Sequence, residues 1–257
     1  MALVTPTTVG SFVVDNTSPT SIVSDAFTPA AWSLITVNVY IYDTATYTIA
    51  NTTIEDTVTG WIPESSWGRY EVLHSPDPSS DYGGKIVFYR QAGPSPVEGT
   101  VTITPPSGMT AVSLQIVQFT SSDAAKIPNR FVGSIADATE AWTASPISAT
   151  LSTAPGSANY SWMLIGSNRD MTADITAADS FTELYEASGG TGSQAGHYRT
   201  GSTSTAISAV YGSFSSSSQI SLICVEIREE DRPVVDTTIP HRVYKVDQQA
   251  INRASLW

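Results

Sequence analysis

The chain has 257 residues, enough for one large β-sandwich or two small domains, either with a core of its own. Its formal net charge of −12 comes with too few Lys and Arg to neutralise phosphates in clusters, which argues against nucleic-acid binding and against anionic membranes. A single cysteine excludes an intrachain disulfide framework, and Cys224 lies in the most apolar stretch, where it reads as a small core hydrophobe.

Charged residues are only 14% of the chain and Lys occurs at just Lys85, Lys126 and Lys245, so solubility falls to hydroxyls and carboxylates. Residues Met1 to Val14 carry neither a basic segment nor a long apolar core, and no cleaved signal peptide is expected. No apolar run approaches the length of a membrane span.

Residues 1–29, rich in Thr, Ser, Val and Pro, predict an extended arm or an edge strand. Ala31 to Tyr42 predicts a long strand with Trp32, Leu34, Thr36, Asn38 and Tyr40 on one face. Ile35, Val37, Val39 and Ile41 make the other face cleanly apolar, and that face should meet the core. Tyr47 to Ile54 and Arg69 to Leu73 read as weaker strands on either side of Thr59 to Gly68, and His74 to Gly84 as a turn-rich loop. Lys85 to Arg90, Gly99 to Thr104 and Thr110 to Phe119 follow as strands. In the last of these Val112, Leu114 and Ile116 alternate with Ser113 and Gln115, and the phase changes at Val117 and Phe119, which predicts a bulge or a newly covered face.

Ser121 to Ala144 is the least regular region, with a short helix expected around Ser122 to Lys126 or Ala136 to Ala141. Strands resume at Ile147 to Leu151, Asn159 to Gly166, Phe181 to Tyr185, Gly196 to Arg199 and Thr205 to Phe214. The most strand-like stretch is Gln219 to Arg228, which begins by alternating and becomes almost continuously apolar through Ile223, Cys224, Val225 and Ile227. It reads as the central strand, running from a half-exposed edge into the interior. Many short strands separated by turn signals predict an all-β, antiparallel sandwich over residues 30–231 rather than βαβ units.

Two parts of that sandwich read as distant copies. Trp32-Ser-Leu-Ile-Thr-Val, Phe88-Tyr89-Arg90, Gly99-Thr-Val-Thr-Ile-Thr and Ala111-Val-Ser-Leu-Gln-Ile-Val find counterparts in the second half. These are Ser161-Trp-Met-Leu-Ile, His197-Tyr198-Arg199, Ile207-Ser-Ala-Val-Tyr and Ile220-Ser-Leu-Ile-Cys-Val. Such a repeat predicts two matching halves; chance similarity between Ser- and Thr-rich strands is the alternative. Residues 232–257 differ in character. Arg242, Tyr244, Lys245, Arg253, Leu256 and Trp257 make this segment apolar and slightly basic after an acidic body, which reads as a docking tail, with disorder as the alternative.

Candidate chemistry is sparse. His74, His197 and His241 lie far apart without metal-ligand spacing, so neither a metal centre nor any other cofactor is expected. There is no Gly-x-Ser-x-Gly elbow, and the Gly-rich Ser188 to Gly196 lacks the Lys-Ser/Thr ending of a phosphate cradle. Glu183 with Glu186, or Glu64 with Glu71, could be proposed as a glycosidase pair, an arrangement that only the fold could assemble. Asn168, Asp170, Asp174 and Asp179 form an acidic loop read as solvated rather than as a Ca²⁺ site. The aromatics Trp61, Trp67, Tyr70 and Tyr82 gather in the loop-rich part of the first half, where they could stack on a sugar or a partner protein, or cap the open end of the sandwich.

The segments Phe181-Thr-Glu-Leu-Tyr, Tyr198-Arg-Thr-Gly, Ala206-Ile-Ser-Ala-Val-Tyr and Ile223-Cys-Val-Glu-Ile resemble jelly-roll, lectin-like domains of bacteriophage virion proteins, minor tail proteins above all. The resemblance spans roughly Ala31 to Ile227 and rests on strand order and turn texture. It implies a non-enzymatic structural protein of the virion, a minor tail or tail-tip component built as a jelly-roll-like sandwich with terminal arms. It also implies other virion proteins as partners in a homo- or hetero-oligomer, with contact to host glycans; the charge and the short apolar runs, as above, speak against nucleic acid and membrane insertion. A capsid decoration protein, a carbohydrate-binding module and a glycoside hydrolase are the alternatives.

Overall fold

The computed structural model describes residues 3–43, 49–62, 66–73, 82–129, 135–141, 147–151, 160–167, 175–177, 181–187, 190–200, 206–211 and 219–233. Among them the chain is all β, apart from 3-10 turns at Ile49–Asn51 and Gly190–Gly192. The first half holds β1 (Leu3–Asp15), β2 (Ile22–Val23), β3 (Leu34–Asp43), β4 (Thr53–Asp56), β5 (Thr59–Trp61), β6 (Gly68–Leu73), β7 (Tyr82–Val97), β8 (Val101–Thr104) and β9 (Ala111–Ser121). The second holds β10 (Lys126–Asn129), β11 (Ile135–Ala141), β12 (Ile147–Thr150), β13 (Tyr160–Ser167), β14 (Ile175–Ala177), β15 (Thr182–Ala187), β16 (Ser193–Thr200), β17 (Ala206–Tyr211) and β18 (Gln219–Asp231).

Each half contributes one large and one small antiparallel sheet. In the first, β1-β9-β3-β7-β5 with β6 also on β7 accompanies the small sheet β2-β8-β4. In the second, β10-β18-β13-β16-β15 with β11 also on β18 accompanies β12-β17-β14. The two orders coincide when β10 and β11, which pair with successive parts of β18, are taken together in the place of β1. The correspondence extends to register. Thr36 on β3 lies between Tyr89 and Val117, and Trp162 on β13 lies between Tyr198 and Val225.

The two halves meet through their large sheets, which explains why β3 is buried on both faces along its whole length. Ile35, Val37, Val39 and Ile41 join Ile86, Phe88, Leu114 and Ile116, and the small sheet adds Ile22, Val101 and Ile103 to close the first core. From the opposite face, Leu34, Val87, Val117 and Phe119 pack against Tyr185, Ile223, Val225 and Ile227 of the second half. Burying an aliphatic or phenyl side chain of this kind stabilises by about 1.5–3 kcal/mol before conformational entropy is counted. The phase change at Val117 and Phe119 is therefore a newly covered face. β9 keeps unbroken register with β3 from Ala111 to Phe119.

The bulges lie instead in β1, between Val4 and Thr7 and between Val9 and Val13. Gly10 there has φ 73°, and the Ser11 amide donates to Asp25 Oδ2 at 3.0 Å. Bulges and Pro6 break the regular ladder on this edge strand, as expected where an unprotected edge would recruit another chain.

Several local expectations are corrected. No helix forms at Ser122 to Lys126 or Ala136 to Ala141: Lys126 begins β10, and residues 135–141 pair with Gln219 to Val225. Ala and Glu favour a helix in isolation, but the open side of β18 gives these backbone groups a ladder to join. Gly83 and Gly84 belong to β7 and not to a loop, because they pair with Tyr42 and Ile41. Of the described residues within Tyr47 to Ile54, 49–51 are a 3-10 turn and strand begins at Thr53. Among the described residues no helix is long and apolar enough to cross a membrane.

Candidate functional site

Of the four aromatics gathered in the first half by sequence, Trp61 and Trp67 meet, around a carboxylate. Asp56 ends β4, Trp61 ends β5, Trp67 precedes β6 and Arg90 lies on β7. Gly60, at φ 82°, allows the chain to bring Trp61 against β7; a Cβ there would stand 2.4 Å from the Ser95 carbonyl oxygen. The Trp61 indole N–H donates to Asp56 Oδ1 at 2.8 Å and the Trp67 N–H to Oδ2 at 2.7 Å. Arg90 Nη1 donates to the same Oδ2 at 2.9 Å. The guanidinium also lies 4.9 Å from the Trp61 ring centroid and 5.8 Å from that of Trp67, while the two indoles meet edge to face at 5.5 Å.

Hydrogen bonds to an ionised carboxylate are stronger than neutral ones, and the Asp56 side chain is only 7% exposed. Trp61 is buried within the first core and Trp67 packs half-buried against it. Both indole N–H groups are engaged, and a cation covers a face of the Trp61 ring. This arrangement ties β4 of the small sheet to β7 of the large one and fixes the segments that carry Trp61 and Trp67.

The corresponding position in the second half is Arg199, on β16. Its guanidinium lies 4.7 Å from the centroid of Phe181, which precedes β15. The Tyr-Arg pairs that marked the repeat thus divide their work in the same way in both halves. Tyr89 and Tyr198 pack against the core between the large sheets, while Arg90 and Arg199 each stack on an aromatic ring.

The core between the halves has a polar centre. Lys85 on β7 and Gln194 on β16 are fully buried, and Lys85 Nζ donates to Gln194 Oε1 at 2.9 Å. Gln194 Nε2 donates in turn to Ser113 Oγ at 2.9 Å and to the Asn38 carbonyl oxygen at 3.3 Å. Asn38 Nδ2 lies 3.5 Å from the Tyr185 hydroxyl. Desolvation drives the Lys85 ammonium well below the usual lysine pKa and raises that of the Tyr185 phenol, so burial favours the neutral form of each. Register makes Lys85 and Gln194 equivalents: Lys85 is opposite Tyr40, which is opposite Ser113, and Gln194 is opposite Gly166, which is opposite Ser221. Contact between equivalent positions is the pattern of an isologous, two-fold interface.

Of the other residues singled out by sequence, Tyr70 packs half-buried against the core between the halves and also lines an open groove with Ala50, Arg69 and Glu71. Arg69 is held there by the carbonyl oxygens of Ile49, Ala50 and Thr52 and by an ion pair with Glu71. Tyr82 opens β7, away from the tryptophan cluster at Trp61, which pairs with Ala92. Glu183 and Glu186 lie on β15, and Cys224 is a fully buried core residue of β18. Arg242, Tyr244, Lys245, Arg253, Leu256 and Trp257, together with His74, His241, Glu64 and the acidic loop from Asn168 to Asp174 and Asp179, lie outside the described residues.

Sequence reasoning missed Asp56, Arg90, Lys85 and Gln194 as organising residues. The available signal was Lys85, one of only three lysines and the first residue of a predicted strand. Among the described residues, no group of three or more His, Cys, Asp or Glu is arranged to hold a metal ion. Set against family models, curated proteins and solved structures, the chain matches none of them.

Proposed function

We propose that this chain is a non-enzymatic structural protein of a bacteriophage particle, a minor tail or tail-tip component that presents a rigid double sandwich toward the host surface. Each half is read as a jelly roll, a reading supported by the repeated strand order: β1-β9-β3-β7 beside β2-β8-β4 in the first half, and β10/β11-β18-β13-β16 beside β12-β17-β14 in the second. The observation that carries the structural role is how the polar and aromatic groups of the described core are used. Asp56, Arg90, Trp61 and Trp67 bind one another, and Lys85, Gln194 and Ser113 bind across the two halves. Groups so engaged stiffen a body and fix its two parts together.

The test is to purify particles from the source culture on a density gradient, digest them for mass spectrometry, and label them with gold-conjugated antibody. Peptides of this chain in the particle fraction, with gold at the tail, are the expected result. Gold on the head would replace the tail assignment with capsid decoration, and a chain confined to the soluble fraction would overturn the virion reading. A version ending at Asp231 should remain folded but fail to enter particles if residues 232–257 are the docking tail.

A second reading, carbohydrate contact, is favoured by the open groove where Tyr70 lies beside Arg69 and Glu71. An aromatic face flanked by charged hydrogen-bonding groups suits a sugar ring. Glycan-array binding that Tyr70→Ala abolishes would support it, and an unchanged array profile would remove it.

A further inference from the structure

The contact between Lys85 and Gln194 brings a buried amine to a carboxamide, the two functional groups of an isopeptide bond. We propose that Lys85 and Gln194 condense to an Nε-(γ-glutamyl)lysine crosslink that covalently ties the two halves of the chain together. This inference stands apart from the virion reading and concerns chemistry internal to the fold.

The geometry supplies proximity. Lys85 Nζ is 2.9 Å from Gln194 Oε1, and the amide carbon is one bond further, about 1.2 Å from that oxygen. Both side chains are fully buried and sit on central strands of packed sheets, so they are held together without the entropy cost of an encounter. A lysine attacks as the free amine, and the complete burial of Lys85 disfavours its ammonium form. On the leaving side, Gln194 Nε2 already lies 2.9 Å from Ser113 Oγ, a hydroxyl able to accept and return a proton.

The step balances without a co-reactant. The Nζ lone pair attacks Cδ of Gln194 and forms the new C–N bond. One Nζ proton passes through the Ser113 hydroxyl to Nε2. The Cδ–Nε2 bond then breaks with its electron pair on nitrogen, and ammonia leaves. Nothing is oxidised or reduced.

Intact mass of the purified full chain decides the matter. The expected mass is lower than that of the sequence by one ammonia. Lys85 would then resist trypsin, and digestion would give one branched peptide joining residues 70–90 to residues 170–199, the segments bounded by Arg69, Arg90, Arg169 and Arg199. Lys85→Met and Gln194→Leu should each restore the full mass, and Ser113→Ala should slow the loss of ammonia in freshly made protein. A wild-type mass equal to that of the sequence, with separate peptides 70–85 and 170–199, would overturn the proposal. So would an ammonia loss that maps to any other pair.

Discussion

Arg90 and Arg199 occupy the same place in the two halves of the chain, each following an interface tyrosine on a central strand and each stacked on an aromatic ring, Trp61 and Phe181 respectively. Only the surroundings of Arg90 include the Asp56 carboxylate shared with two indoles. The shared position ties the sequence repeat to a packing role: in each half a planar cation on an interior strand of the large sheet lies over an aromatic ring from a neighbouring segment.

Asp56 should therefore be the most sensitive polar residue of the first half. Asp56→Ala leaves two indole N–H groups and a partly buried guanidinium without their acceptor, and the expected loss is about 3 kcal/mol. Asp56→Asn keeps an acceptor oxygen and should cost about half as much. Urea denaturation followed by tryptophan fluorescence measures both, and equal costs for the two variants would contradict the role given to the negative charge.

Gly60→Ala should destabilise the same cluster without touching its hydrogen-bonding groups. The position combines φ 82° with a backbone oxygen 2.4 Å from the added Cβ. Strain of this kind costs on the order of 1–3 kcal/mol, and a thermal melt within error of wild type would show that the loop relieves it freely.

The core between the halves gives a third expectation. Phe119→Ala and Ile223→Ala, made on opposite sides of that core, should each cost about 2–5 kcal/mol by opening a cavity. Val23→Ala, on an exposed position, should change stability by less than about 0.5 kcal/mol. If the interface variants fall with the surface variant in chemical denaturation, the packing between the large sheets is not stabilising the fold.

Much of this architecture was readable in sequence because strand alternation reports burial directly. The Ile35 to Ile41 face, the closing strand at Gln219 and the Tyr-Arg repeat all follow from local pattern. Pattern did not reveal that Leu34, Thr36 and Asn38 are buried as well, since a face covered by a second half looks half polar when polar residues meet each other there. Residues 135–141 were misread because their pairing with β18 outweighs local propensity. The tryptophans were visible, but their acceptor was not, as nothing in the spacing of Asp56 marks it as their partner. Lys85 and Gln194 stand 109 positions apart and become a pair only when the sheets close.

Cys224 should give alkaline pH a measurable signature. Burial raises its thiol pKa from the ordinary value of 9.0, so the folded chain keeps a proton that the unfolded chain releases. The unfolded state then binds fewer protons above pH 9, and stability from this group is complete below that pH and lost as pH rises. The slope is about 1.4 kcal/mol per pH unit for one proton. Cys224→Ala should show a shallower decline between pH 9 and 11, and in wild type the thiol should resist alkylation until the chain unfolds. Parallel declines, or rapid alkylation of native protein, would contradict its placement.

If the two halves act as one rigid body through their large sheets, native-state hydrogen exchange will report it. The amides of β3 in the first half and β18 in the second should exchange only through the same global unfolding, with matching free energies and matching urea dependence. Release of β18 at a clearly lower free energy, while β3 stays protected, would mean that the second half opens alone and that the two halves are not one rigid body.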